Sequence, residues 1–142
     1  MINTIAISSD HAGIELKAAL IPIIEQAGFT ALDLGPFNHN SVDYPDYANM
    51  LCNDIKHGKA LKGVLICGSG IGMSIAANRH KEIRAALVHN VETATLCRLH
   101  NDANVLVIGA RFMDEATAIA CLQAFLTTEF EGGRHATRVA KL

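Results

Sequence analysis

Short apolar runs alternate with longer segments of helical periodicity along this chain. Each apolar run has the length of a buried strand, and the segments between them repeat apolar residues every three or four positions. The pattern predicts strands at residues 3–8, 30–34, 63–67, 84–88 and 104–109. It predicts helices at residues 13–27, 44–57, 73–80, 92–100, 114–128 and 134–142. Pro22 inside the first helix predicts a kink or a break there.

The strict alternation of strand and helix indicates an α/β protein in which short links join successive units. We expect a three-layer αβα, Rossmann-like open sheet of five parallel strands, doubly wound, within a single domain spanning residues 1–142. The chain has no Trp, two Tyr and five Phe, so Ile, Leu, Val and Ala must fill the core. Such aliphatic strands are typical of parallel sheets covered on both faces.

Ligands of open parallel sheets bind beyond the carboxyl ends of the strands. That edge should carry Ser9, Asp10 and His11 after the first strand. It should also carry residues 67–72, CGSGIG, after the third. The sequence therefore predicts a ligand site at this edge.

The glycine-rich loop 68–72 follows a strand and opens a helix, so its amides can approach an anion near the positive end of the helix dipole. A dinucleotide fingerprint would need glycine where Met73 stands, and no lysine follows as in a Walker A loop. The plain alternative is a tight turn without a ligand. The loop is therefore a candidate anion site.

Cys67 stands directly before this loop. A cysteine at a strand end is commonly a small core residue. Here the loop amides and the helix N-terminus would stabilise a thiolate and lower its pKa, which would suit a base or a nucleophile. Cys52, Cys97 and Cys121 lie among apolar helical neighbours and are expected in the core.

Two further groups of polar residues are candidates for the site. Asp10 is expected either as a helix N-cap or as a group that orients a sugar hydroxyl, and His11 either as a loop residue or as an anion ligand. The segment 100–102, His-Asn-Asp, ends the fourth helix and is ordinarily a cap or a turn.

Three arginines are candidate phosphate ligands. Arg134 and Arg138 are four positions apart and would share one face of a helix. Two guanidinium groups on one face suit a phosphate, although a solvated terminal helix has the same spacing. Arg111, just after the fifth strand, is the third candidate.

Composition and charge restrict the class of protein. The formal net charge is -2, which disfavours a nucleic-acid-binding protein. No apolar run is long enough to span a bilayer, and the N-terminus lacks the basic region of a secretory signal. We therefore expect a cytoplasmic protein with no membrane partner, whose four cysteines are reduced and lack zinc-site spacing.

Five motifs occur together and in order along nearly the whole chain, at residues 8–13 (SSDHAG), 43–48 (DYPDYA), 63–79, 100–106 (HNDANVL) and 131–135 (EGGRH). Together they resemble the ribose-5-phosphate isomerase B family, which includes the galactose-6-phosphate isomerase subunits. The resemblance implies an enzyme that interconverts an aldose phosphate and a ketose phosphate without a metal or an organic cofactor. It also implies a homodimer, which could pair further into a tetramer, with sites at the subunit interface.

The resemblance also assigns roles at matched positions. It implies Cys67 as the base, His100 with Asp10 as the pair that opens the sugar ring, and Ser69 as a further catalytic residue. The loop that holds the enediolate is Gly68, Ser69, Gly70, Ile71 and Gly72. The implied ligands of the sugar and its phosphate are His11, Tyr44, Asn101, Arg111, Arg134 and Arg138.

Topology separates two of these residues. His100 ends a helix that runs back across the sheet, so it should lie near the amino edge, whereas Cys67 lies at the carboxyl edge. A five-residue strand spans about 17 Å, so one sugar could not reach both groups. If both are catalytic, His100 must come from a second subunit of a twofold dimer.

Three alternatives remain open at this point. A galactose-6-phosphate isomerase shares the fold and the chemistry, and substrate length would distinguish it. A non-catalytic regulator would bind a sugar phosphate without turnover. A nucleotide-binding module is disfavoured by the glycine spacing.

Overall fold

A computed structural model describes residues 2–142 and contains one five-stranded sheet. The strands are β1 (Thr4–Ser9), β2 (Thr30–Asp33), β3 (Lys62–Cys67), β4 (Ala85–Leu87) and β5 (Val105–Gly109). The helices are a short 3-10 turn (His11–Gly13), α1 (Ile14–Gln26), α2 (Tyr44–Lys56), α3 (Ile71–Asn78), α4 (Val91–Leu99), α5 (Glu115–Thr127) and α6 (Arg134–Val139). The predicted α/β class and the five strands are confirmed.

All neighbouring strands pair in parallel, in the order β2-β1-β3-β5-β4. The register aligns the ends of the three central strands. Ser9 is level with Ile66, and Cys67 is level with Gly109. The polar segments that follow β1, β3 and β5 therefore meet at one edge of the sheet.

Successive strand residues point to opposite faces, and each face has its own apolar core. Ile5, Val64 and Leu106 belong to the core shared with α1, α4 and α5. Ala6 and Leu65 belong to the core shared with α2 and α3. Because helices cover both faces, the predicted doubly wound arrangement is confirmed.

Three predicted boundaries differ from the structure. A break at Pro22 is wrong, since α1 continues through it with Leu20 and Ile24 fully buried on either side. Packing of that apolar face compensates for the one hydrogen bond that proline cannot donate. α3 begins at Ile71 rather than at Met73, so the last two loop residues form its first turn. α6 ends at Val139 rather than at residue 142.

The longest helices, α1, α2 and α5, have 13 residues each. A bilayer-spanning helix needs about 20 apolar residues. Within residues 2–142, no helix combines the length and the hydrophobicity that crossing a membrane requires.

Candidate active site

The thiol of Cys67 lies at the carboxyl end of β3 with 5% of the residue exposed. The N–H of Gly70 donates a hydrogen bond to its sulfur at 3.2 Å. Gly70 adopts a left-handed conformation (φ 79°), which turns the chain back towards the sulfur and starts α3 immediately afterwards. A backbone donor and a helix N-terminus directed at one sulfur both stabilise negative charge on it.

The loop after Cys67 packs directly on the segment that follows β5. A Cβ atom at Gly109 would overlap the carbonyl of Ser69, and a Cβ atom at Gly68 would lie 3.2 Å from the Arg111 guanidinium carbon. The carbonyl of Gly68 also accepts the N–H of Arg111 at 3.0 Å. The two loops therefore pack backbone against backbone at these glycines, and the Arg111 guanidinium lies against the glycine loop.

Tyr44, the first residue of α2, covers the first turn of α3. A Cβ atom at Gly72 would lie 2.5 Å from the ring carbon Cζ of Tyr44, so only glycine leaves room for the ring. The hydroxyl of Ser69 accepts the N–H of Ile71 at 3.2 Å. Tyr44 and Ser69 thus border the same first turn, whose amides lack acceptors within the helix.

Asp10 and His11 enter the site from the end of β1. The Asp10 carboxylate accepts the N–H of Ala12 at 2.9 Å, so Asp10 is the N-cap that the sequence allowed. His11 Nδ1 accepts the N–H of Val42 at 3.2 Å. Ser9, which sequence reasoning did not single out for chemistry, has a buried hydroxyl without a hydrogen-bond partner among residues 2–142.

These groups line a cavity of about 460 Å³ at the carboxyl edge of the sheet. Its walls are Asp10, His11, Ala12, Tyr44, Cys67, Gly68, Ser69, Ile71, Gly72, Ile75 and Arg111. The structure therefore brings together a thiol, a carboxylate, an imidazole, a guanidinium and loop amides. Such a set can bind an anionic small molecule and move a proton on it.

The other predicted residues lie around the end of α4. His100 caps this helix by donating its N–H to the carbonyl of Leu96 at 2.9 Å. Its ring stacks on that of His135, with centroids 4.2 Å apart and planes inclined by 14°. The N–H of Glu131 donates to the carbonyl of Leu99 at 3.0 Å and fastens the segment before α6 to the end of α4.

This second group is electrostatically suited to an anion. The pKa of His135 is lowered by burial and by the proximity of His100, Arg134 and Arg138, although the Glu131 carboxylate opposes the shift. His100, Glu131 and His135 offer ligand atoms within 4.8 Å of one another, which a transition metal could use. The stacked rings and the two adjacent guanidinium groups disfavour a cation there.

The two groups do not meet within one chain. His100, Asn101, Arg134 and Arg138 are all absent from the lining of the Cys67 cavity. Asn101 instead lines a separate cavity of about 420 Å³ beside the start of β4. His135 was missed as a candidate, and its position next to Arg134 in the motif EGGRH was the available signal.

The remaining cysteines are core residues, as predicted. Cys52, Cys97 and Cys121 are buried and free. Burial raises the pKa of Cys52 and of Cys97 to about 11 and also raises that of Cys121. These thiols therefore stay protonated near neutral pH.

The fold and the cavity define an α/β protein with a pocket whose side chains and loop amides can bind an anionic small molecule. Residues 5–142 match the ribose/galactose isomerase family, and the chain belongs to that family. It is therefore an enzyme, a sugar-phosphate isomerase, and not the non-catalytic regulator that the sequence left open.

Two solved structures and one curated protein illustrate the similarity. Ribose 5-phosphate isomerase B from Anaplasma phagocytophilum is 51% identical with a TM-score of 0.91, covering 99% of this chain and 96% of that chain. Ribose-5-phosphate isomerase B from Mycoplasma genitalium with bound ribulose-5-phosphate is 40% identical with a TM-score of 0.93, covering 97% and 92%. Ribose-5-phosphate isomerase B from Escherichia coli (strain K12) is 38% identical over 135 residues, 95% of this chain and 91% of that protein.

Proposed function

We propose that this enzyme interconverts ribose 5-phosphate and ribulose 5-phosphate through an enediolate. The observation that carries the proposal is the cavity that joins Cys67, the glycine loop and Arg111. The relative from Mycoplasma genitalium, 40% identical over nearly the whole chain, was solved with ribulose-5-phosphate bound. Sequence identity at this level supports the same substrate class for this chain.

Cys67 acts as the base in this proposal. Its thiolate takes a proton from C2 of the open-chain aldose and returns it to C1, while a proton passes between the O1 and O2 oxygens. No electrons leave the sugar, so the reaction needs no redox partner. In this proposal the amides of Gly72 and Met73, which follow Ile71 in the first turn of α3, face the negative charge that develops on the enediolate. The Ser69 hydroxyl, which accepts the Ile71 amide, can donate its proton to a sugar oxygen.

His100 opens the sugar ring in the proposed mechanism, helped by Asp10. Since His100 is absent from the cavity of its own chain, we assign this role to His100 of a second copy. Asn101 and the two arginines of α6 arrive with it and bind the sugar and its phosphate. A twofold dimer supplies each group to the other chain and forms two composite sites. Two such dimers could pair into a tetramer.

The alternative substrate is a hexose phosphate such as galactose 6-phosphate, because the family description covers both ribose and galactose isomerases. The decisive experiment compares kcat/KM of the purified enzyme for ribose 5-phosphate and galactose 6-phosphate. We expect at least tenfold preference for the pentose, since one extra hydroxymethylene unit must fit the same cavity. Equal or reversed preference would assign the enzyme to hexose phosphates.

We also propose that the enzyme works in the cytoplasm. All four cysteines are free in the structure, as a reducing compartment requires. Cell fractionation with an activity assay tests this, because the isomerase activity should be recovered in the cytosolic fraction and recovery elsewhere would contradict it.

A further inference from the structure

Hydrogen bonds hold the link between β2 and α2, residues 34–43, against β1 and α1. The carbonyl of Gly35 accepts the N–H of Ser9 at 3.1 Å. The carbonyl of Pro36 accepts the ammonium of the buried Lys17 at 3.1 Å. These contacts hold the link against the carboxyl edge of the sheet, immediately beside the Cys67 cavity.

The last contact of the link is made by a backbone amide. The N–H of Val42 donates to Nδ1 of His11 at 3.2 Å, across 31 positions of sequence. A ring nitrogen can accept a hydrogen bond only if it carries no proton. The neutral ring at this position must therefore carry its hydrogen on Nε2.

We propose that the Val42 amide fixes His11 as a neutral ring protonated at Nε2, so that His11 donates a hydrogen bond to an oxygen of the substrate and does not act as a base. His11 lines the cavity, and its Nδ1 is occupied by Val42. The Nε2–H group is therefore the ring group that can donate a hydrogen bond to a ligand. A doubly protonated ring would place two N–H donors face to face at Val42.

This arrangement assigns different chemical roles to the residues that line the cavity. Cys67 is left as the proton acceptor, and His11 joins Arg111 as a donor towards the anionic substrate. Val42 is a positioning residue that acts through its backbone alone, so the identity of its side chain is not involved. The assignment of the ligand as a sugar phosphate rests on the proposed function, whereas the tautomer of His11 does not.

The tautomer is measured directly by NMR on protein labelled with 15N in its histidine rings, with His11 identified by the signal lost in His11→Asn. We expect the two-bond correlation pattern of a neutral ring protonated at Nε2. Val42→Ala keeps the amide and should keep that pattern, whereas Val42→Pro removes the donor and should give a mixture of tautomers. A ring protonated at Nδ1, or at both nitrogens at neutral pH, would overturn the proposal.

Kinetics provide the second measurement. Val42→Pro should raise KM for the sugar phosphate roughly tenfold with a smaller change in kcat, and Val42→Ala should stay within about twofold of wild type. If Val42→Pro does not fold, His11→Gln and His11→Asn replace it, because the Gln amide nitrogen reaches the Nε2 position and the Asn amide reaches only Nδ1. Gln should retain the lower KM, and the reverse order would contradict donation from Nε2. Activity on no sugar phosphate would refute the proposed function and leave the NMR result standing.

Discussion

The two edges of the sheet carry groups of side chains that are held in place in different ways. At the carboxyl edge, strand register and bare glycine backbone hold the buried sulfur of Cys67 against the turn that starts α3. At the amino edge, exposed arginines extend from the short helix α6, which one ring stack and one backbone hydrogen bond attach to the end of α4. The first group is preorganised for chemistry within its own chain. The second presents the exposed charges of Arg134 and Arg138 outwards, away from the Cys67 cavity of its own chain.

The comparison teaches how a small single sheet could provide both reaction and recognition. Sheet pairing cannot be altered at the carboxyl edge without moving several strands, so geometry is rigid where a proton must be transferred. In the proposed mechanism α6 supplies the charges of Arg134 and Arg138, and the attraction between charges varies only gradually with distance. Single substitutions can disrupt either the group around Cys67 or the group around α6 and leave the other group intact.

The largest effect is expected for Cys67→Ala, which removes the base from the carboxyl-edge group. Turnover should fall by at least about 10³-fold, near the upper range for loss of a general base. Exchange of the C2 proton with solvent should disappear as well, which NMR in deuterated buffer measures. Cys97→Ala is the matched control, because Cys97 is 6% exposed, close to the 5% of Cys67, yet lies in α4. Near-normal turnover of Cys67→Ala would reject the base assignment.

The second prediction tests whether the two edges of different copies cooperate. Cys67→Ala and His100→Ala are each expected to be inactive when pure. After both are unfolded together and refolded in equal amounts, half the dimers should be mixed, and each mixed dimer should contain one intact site. Recovery of roughly a quarter of wild-type activity is expected. If mixed dimers form, as native mass spectrometry would show, and no activity returns, the shared site is disproved.

The third prediction concerns phosphate binding at the amino edge. Arg134→Ala or Arg138→Ala should raise KM by about 1.5–3 kcal/mol of binding free energy, with little loss of kcat. Inorganic phosphate should also inhibit the variants less than the wild type. Lys141→Ala is the control, since Lys141 is an exposed cation just beyond α6. Unchanged KM in both arginine variants would show that α6 is a solvated terminal helix that does not bind the phosphate.

The smallest effect is on stability and concerns His135. Its pKa in the folded protein lies below the ordinary value of 6.5, so the unfolded chain binds the proton first as the pH falls. The stability that neutral His135 contributes is fully present above the pKa of the unfolded chain. It is lost as the pH falls through the lower pKa of the folded protein. The melting temperature of wild type should therefore fall more between pH 7.5 and about pH 5.5 than that of His135→Gln. Parallel pH curves for the two proteins would contradict this.

Local sequence predicted the elements well and their starting points less well. All five strands were located from apolar runs, which are longest in the central strands β1, β3 and β5 because these are buried on both faces, whereas the edge strands β2 and β4 are only partly buried. The start of α3 was misplaced by two residues, since the glycines before it resemble a longer loop and only the left-handed Gly70 marks the true boundary. The break expected at Pro22 failed because burial outweighs a single missing donor.

The candidate site was located in part. Placing Cys67, Asp10 and His11 at one edge needed only the rule that parallel strands end together. The contact between Val42 and His11 had no sequence signal, because a backbone amide has no side chain to identify it. The motif EGGRH was the available signal for His135, but its burial was not predictable, since that burial depends on the approach of α6 to the end of α4.

By itself, therefore, the sequence determined the alternation of strands and helices, the glycine loop that follows Cys67 and the set of groups available for chemistry. These depend on residues near one another in the chain, where steric and hydrogen-bonding preferences act directly. Only the tertiary structure decided that β5 lies between β3 and β4, and that Arg111 therefore reaches the glycine loop. Only the tertiary structure also stacked His100 on His135, away from the Cys67 cavity. The order of strands and the meeting of distant loops are set by the packing of whole faces, and that packing energy belongs to no local segment.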